Sequence, residues 1–313
     1  MIPAGPLVMG VLNLTPDSFS DGGRLGSVDA VVRQARRMLA QGAAVLDLGA
    51  QSTRPGATEV GPAEELRRLL PALRALQGLR QEHPALLLSI DTFHAAVAEV
   101  ALAEGADWIN DVRGANVTAE APGGTLRDPA MLALIARAGC PYVLMHNRGT
   151  SQTMDSLALY GDVVSEVRRE LSGATEQALA AGVKPEQLIW DVGLGFAKTT
   201  AQNLELLRRL HELVPSAPAL ALRDHGHDHG QLHKEGLFDS GQAPSPVPLL
   251  IGPSRKRFIG AVLNEPRPRA RLWGTASVCA LAASAGARVL RVHDVGPIAQ
   301  VVRMARAVSA GTD

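Results

Sequence analysis

The chain has 313 residues, of which 46% are hydrophobic and 20% charged, and its 31 basic and 31 acidic side chains cancel to a formal charge of zero. That balance supplies a large core and excludes a disordered or fibrous chain, and the absence of a basic excess argues against nucleic acid as a partner. No charged leader opens the chain, and the most apolar later stretch, 275–290, is alanine-rich and too short to span a bilayer, so no membrane partner and a cytoplasmic location are expected. Cys140 and Cys279 each lie in an apolar stretch and read as two buried thiols, not as a disulfide or redox pair.

Short apolar runs alternate with amphipathic ones along the chain. Strands are expected at 7–13, 44–49, 86–91, 108–112, 142–146, 188–192, 249–252 and 289–293, each nearly continuous in apolar residues, as strands buried on both faces are. After the first strand, Val28, Val31, Val32, Ala35, Met38 and Leu39 share one helical stripe behind Ser27, a candidate N-cap. Long helical patterns follow the second, third, fifth, sixth and seventh strands, and Ile298, Val301, Val302, Ala305 and Val308 make a last stripe. Eight strands alternating with helices in about 300 residues predict a single-domain α/β fold, a (β/α)8 TIM barrel; an open doubly wound sheet is the alternative, since alternation alone does not show closure. The domain is expected to span 1–313. The stretch 216–248, rich in Gly, Pro and His, departs from the pattern and reads as a surface insertion between the sixth helix and the seventh strand.

Asn13, Asp91, Asn110, Asp111, His146, Asp191, His293 and Asp294 stand at or just past strand ends, which in a barrel meet at the face where active sites lie. The first loop, 13–23, is long, polar and glycine-ended, carries Asp17, Phe19 and Asp21, and is suited to closing over a substrate. The loop Ser52-Thr53-Arg54-Pro55-Gly56 places a guanidinium among hydroxyls, an anion clamp. Asp91, Asn110 and Asp191 suit a flat heterocycle with several N–H donors; the same set also suits a divalent cation. The run 191–199, DVGLGFAKT, fits neither the phosphate-loop nor the dinucleotide pattern, so its glycines read as permitting close approach of backbone to a flat ligand, with Phe196 lining the pocket. Arg255, Lys256 and Arg257 follow the seventh strand, where a helix N-terminus adds its own attraction for anions. Arg291 and His293 share a face by period two, and barrel closure would bring them beside Asn13, which predicts a pyrophosphate site with Asn13 able to hold Mg2+.

The stretches MGVLNLTPDSFSDGG, STRPGA, SIDTF, WINDV, LMH, DVGLGFAKT, GPSRKRFIG and RVHDV, in that order, resemble dihydropteroate synthases, pterin-binding TIM barrels, over nearly the whole chain. The resemblance implies condensation of 6-hydroxymethyl-7,8-dihydropterin pyrophosphate with p-aminobenzoate by a dissociative route with Mg2+, in a homodimer formed through late helices. It implies that Asp91, Asn110 and Asp191 bind the pterin edge, with Phe196 and Lys256 flanking the ring. Asn13, Thr53, Arg54, Arg255, Arg291 and His293 would hold the pyrophosphate, and Asn13 the metal. Asp21 would close with the 52–57 loop over p-aminobenzoate, held by Thr53, Pro55 and Arg257. Asp21, Arg54, Lys256 and His293 are the implied catalytic residues. The chain departs from the family at Arg257, which stands where many members have Ser, and at Ala50, Gln51, Val192, Asn147 and Arg148. A methyltetrahydrofolate-dependent methyltransferase shares such a barrel without needing the phosphate clamp, and a non-catalytic pterin-binding paralogue is the third reading.

Overall fold

The structure, a computed structural model, describes residues 6–14, 28–53, 56–117, 125–213 and 247–310. The first loop with Ser27, Arg54, Pro55 and nearly all of 216–248 lie outside the described residues.

Eight strands form one closed parallel barrel in chain order: β1 (Leu7–Asn13), β2 (Val45–Gly49), β3 (Leu87–Asp91), β4 (Trp108–Val117), β5 (Tyr142–Arg148), β6 (Leu188–Asp191), β7 (Leu249–Ile251) and β8 (Val289–Val292). Closure is direct, since β1 pairs with β2 on one side and with β8 on the other, Val8 opposite Leu290. The open sheet is therefore excluded. The helices described are α1 (Val28–Ala40), α2 (Pro62–Gln77), α3 (Ala95–Ala103), α4 (Met131–Ala138), α5 (Val163–Ala180), α6 (Thr200–Arg208), α7 (Arg257–Leu263), α8 (Leu272–Ser284) and α9 (Val295–Ala310). Those after the third, sixth and seventh strands are short, nine, nine and seven residues, where long ones were expected.

Alternation along the strands sorts the core into two shells. One set of side chains meets the helices: Leu12, Leu46, Leu48, Leu88, Ile90, Ile109 and Leu144 belong to the large cluster packed with Leu73, Leu76 and Ile298. The opposite set fills the lumen, where Met9, Val45, Trp108, Val143, Ile189, Leu250 and Val289 form a separate apolar plug. Two residues further along several of the same strands, on the same face, stand Asp47, Ser89, Asn110, Asp191 and Arg291. The barrel thus changes from apolar to ionic in one layer, moving from plug to mouth.

The same alternation corrects two expected mouth residues. β4 continues to Val117 with a register shift between Asp111 and Ala115, and β5 continues to Arg148. Asp111 and His146 neighbour the lumen-facing Asn110 and Met145 and therefore point outward. Asp111 accepts from the Tyr142 hydroxyl at 2.7 Å, and His146 meets Glu170 on α5 at 2.8 Å. Cys140 and Cys279 are free and buried, and burial pushes their thiols up to about 11 and about 12.

Candidate active site

The ionic layer is organised around a residue that motif reading missed. Asp47 is fully buried, and its carboxylate accepts from three other strands: Ser89 Oγ at 2.6 Å, Asn110 Nδ2 at 3.2 Å and Arg291 Nε at 2.6 Å. The other arm of Arg291 donates to Asp91 Oδ2 at 2.6 Å. One guanidinium therefore ties the ends of β2, β3 and β8 together, and Asp47 sets the direction of the Asn110 amide. With its nitrogen spent on Asp47, Asn110 Oδ1 is buried without a hydrogen-bond partner among the described residues. A buried acceptor in that position costs free energy until a donor arrives.

Asp91 does not cap a helix; α3 begins behind His94, and Asp91 is committed to Arg291. Burial pushes its carboxyl up to about 7; Arg291 pulls it down, while Asp47, Glu65 and Asp111 add to the rise. Across the lumen Asp191 closes β6, with Oδ1 accepting from Gly193 N at 2.8 Å, and burial raises its carboxyl as well. Lys256 is brought in by the turn after β7. Its ammonium donates to the Leu194 carbonyl and stands 4.6 Å from the Phe196 ring centroid. Burial lowers Lys256 to about 8, with Asp191 resisting. Burial disfavours the charge on Arg291, but Asp47 and Asp91 outweigh it and keep the guanidinium protonated. Two cations and three carboxylates thus share one small buried volume.

Toward β1, Asn13 Nδ2 lies 3.5 Å from His293 Nε2, and His293 Nδ1 lies 2.9 Å from Ser254 Oγ. The expected approach of Asn13 and His293 follows from the β1–β8 pairing. Arg255 adopts a left-handed backbone, φ 61°, and is engaged by Asp294 at 2.6 Å and 3.0 Å, so the structure holds it as a buttress of the β7 and β8 turns. Arg257, the first residue of α7, pairs with Asp155 at 2.8 Å on the surface, both well exposed. Thr53 lines a pocket at the rim with Ser52, Phe93, Arg113, Asn147 and Phe196. The Arg113 guanidinium covers the Phe93 ring at 3.8 Å and pairs with Glu59. Neither Arg113 nor Asp47 was singled out in the sequence, though a lone Asp between apolar residues in Val-Leu-Asp-Leu-Gly is a legible signal.

Asp21, Arg54 and Pro55 lie outside the described residues, so the structure joins Asp91, Asn110, Asp191, Phe196, Lys256 and Arg291 in one chamber, Asn13 and His293 beside it, and Thr53 at the rim.

The family described as pterin binding enzyme matches residues 9–293. The dihydropteroate synthase of Synechocystis sp. is 43% identical over 301 residues, covering 96% of this chain and 89% of that protein. The folic acid synthesis protein fol1 of Schizosaccharomyces pombe is 39% identical over 305 residues; 97% of this chain is covered, but only 36% of that longer protein. Among solved structures, the Xanthomonas albilineans dihydropteroate synthase with 4-aminobenzoic acid superposes with a TM-score of 0.79 at 38% identity, covering 99% of this chain and 95% of the other.

Proposed function

The chain belongs to the pterin-binding enzyme family, and from that premise we propose how its residues divide the work of dihydropteroate synthesis. It is a transferase of folate biosynthesis that condenses 6-hydroxymethyl-7,8-dihydropterin pyrophosphate with p-aminobenzoate, giving 7,8-dihydropteroate and pyrophosphate. What carries the residue assignment is the orphaned Asn110 Oδ1, a buried acceptor without a partner among the described residues, on β4 beside Asp91, which a ring bringing N–H donors would satisfy. Asp91, Asn110 and Asp191 accept from the pterin edge, while Phe196 and the Lys256 stem flank its faces.

Arg291, Arg54, Thr53, His293 and Asn13 take the pyrophosphate, and Arg255, held by Asp294, supports the turn beside them. Arg291 and Lys256 supply fixed positive charge close to the breaking C–O bond, where preorganised charge lowers a barrier most. The route is dissociative: pyrophosphate leaves with the C–O bonding pair, and the pterin methylene is left cationic. The aniline nitrogen then forms the C–N bond and gives up a proton. Asp91 and Asp191 stabilise the cation, and the first loop, with Asp21, closes with Thr53 and Pro55 to exclude water and hold p-aminobenzoate, a role Arg257 shares only by exchanging Asp155 for the substrate carboxylate. The donor set fits Mg2+, since Asn13 offers one hard oxygen and that ion keeps waters and substrate phosphates for its remaining positions. When bound, the ion supplies Lewis-acid neutralisation of the leaving group.

The same proposal extends to a single catalytic domain over 1–313, with 216–248 an insertion in the sequence between α6 and β7, working in the cytoplasm as a homodimer. Large exposed apolar side chains on α7, α8 and α9, among them Val262, Trp273, Leu281 and Met304, support the dimer. No described helix is long and apolar enough to cross a membrane.

Purified protein given dihydropterin pyrophosphate, p-aminobenzoate and Mg2+ is expected to release dihydropteroate and pyrophosphate together, only when all three are present. Lys256→Ala and Asp191→Ala are expected to nearly abolish turnover with the circular dichroism unchanged; wild-type rates in both would refute the residue assignment.

A further inference from the structure

Lys198 is one of four lysines in the chain and has no part in the scheme above. Its Nζ is buried, 2.9 Å from the Phe196 carbonyl oxygen, 3.1 Å from that of Gly193 and 2.9 Å from His146 Nδ1. His146 is fully buried, and its Nε2 stands 2.8 Å from Glu170 Oε2. Arg148 pairs with the same carboxylate. Burial alone would raise Glu170, but His146 and Arg148 bring it down to about 2.

These partners define the tautomer of His146. An ionised Glu170 only accepts, so His146 Nε2 carries a hydrogen. Burial first, then the Lys198 charge, lowers His146 to about 4, so the ring is neutral and Nδ1 is a bare acceptor. Lys198 then donates to Nδ1 and to the Phe196 carbonyl, and it also reaches the Gly193 carbonyl, which accepts from Phe196 N at 3.0 Å as well. Burial and the nearby Lys256 charge push the Lys198 ammonium well below its usual range, with Asp191 and Glu170 opposing. Bracing the turn takes two donated hydrogens, to His146 Nδ1 and to the Phe196 carbonyl, and either protonation form of Lys198 supplies them.

The two carbonyls belong to a turn under conformational load. Gly193, Gly195 and Ala197 all have positive φ, at 64°, 76° and 46°, and the left-handed Ala197 persists only where its surroundings over-determine it. Lys256 grips the opposite side of the same turn through Leu194 O and covers Phe196. We propose that Lys198 is a positioning residue: braced by His146 and Glu170, it fixes the 193–198 turn so that Phe196 and Lys256 present one preformed wall to the pterin ring.

This proposal rests on the assignment of Phe196 to that ring, so Phe196→Ala serves as the reference. Lys198→Met keeps the side-chain length and removes the donors. It is expected to raise KM for dihydropterin pyrophosphate about tenfold, as a displaced wall residue would. In 15N spectra, His146 is expected to leave its single Nε2–H tautomer in that variant. An effect of Phe196→Ala without one of Lys198→Met would overturn the bracing role; no effect of either would overturn the Phe196 assignment and the proposal with it. The wild-type spectrum is decisive even if Lys198→Met does not fold: a neutral Nε2–H ring at neutral pH is expected, and a charged or Nδ1–H ring would refute the network.

Discussion

At the scale of single residues, the chamber works by holding charge where water cannot screen it. Asp91, raised to about 7, and Lys256, lowered to about 8, set opposite limits on activity. As pH falls through the first value Asp91 takes a proton and, in the proposed binding mode, ceases to accept from the ring; as pH rises through the second Lys256 loses its charge. The kcat/KM for the pterin substrate is therefore expected to be bell-shaped, with limbs near these two values. Lys256→Arg, charged at any working pH, should remove the alkaline limb. Asp47→Asn deletes a negative neighbour that raises Asp91, so the acid limb should move to lower pH. A pH profile with both limbs unchanged in these variants would contradict the assignment. Asp91, Asn110 and Asp191 were legible in the sequence as polar ends of apolar runs. The partnership of Asp47 with Arg291 was not, because it joins residues 244 apart in the chain.

At the scale of elements, side-chain phase decides more than position. Asp111 and His146 sit near strand ends, as Asn110 and Asp191 do, yet one step of alternation turns them to the helix layer, where Tyr142 and Glu170 receive them. The extension of β4 past its register shift conceals this from a reading that ends the strand at 112. The turn after β6 needs its glycine for a reason the sequence did not give: the sequence suggested close approach to a flat ligand, whereas the close neighbour of Gly193 is the β5 backbone. A Cβ at Gly193 would stand 1.9 Å from the His146 carbonyl oxygen, and its φ of 64° is already unfavourable for other residues. Gly193→Ala is expected to destabilise the fold by about 3 kcal/mol or more, read from the denaturant midpoint. It should also weaken pterin binding, since Asp191 and Phe196 flank the turn. An unchanged midpoint would show that the turn can move away from β5.

At the scale of the whole molecule, the late helices leave an apolar face: Trp273 is 76% exposed, Leu281 64% and Met304 65%. If that face joins two copies, Trp273→Glu should convert a dimer to a monomer in sedimentation velocity while leaving the barrel folded; an unchanged sedimentation coefficient would place the contact elsewhere. The sequence by itself determined the alternation of strand and helix, strands buried on both faces and the family, because burial on both faces of a parallel strand leaves a continuous apolar run and the family motifs lie within short stretches. Only the tertiary structure decided that the barrel closes, that Asp47 and Arg291 lock its mouth, that Arg257 turns to Asp155 and that Lys198 braces the Phe196 turn. Those facts depend on which distant side chains share a desolvated volume, and strand phase and ring closure set that, not local pattern.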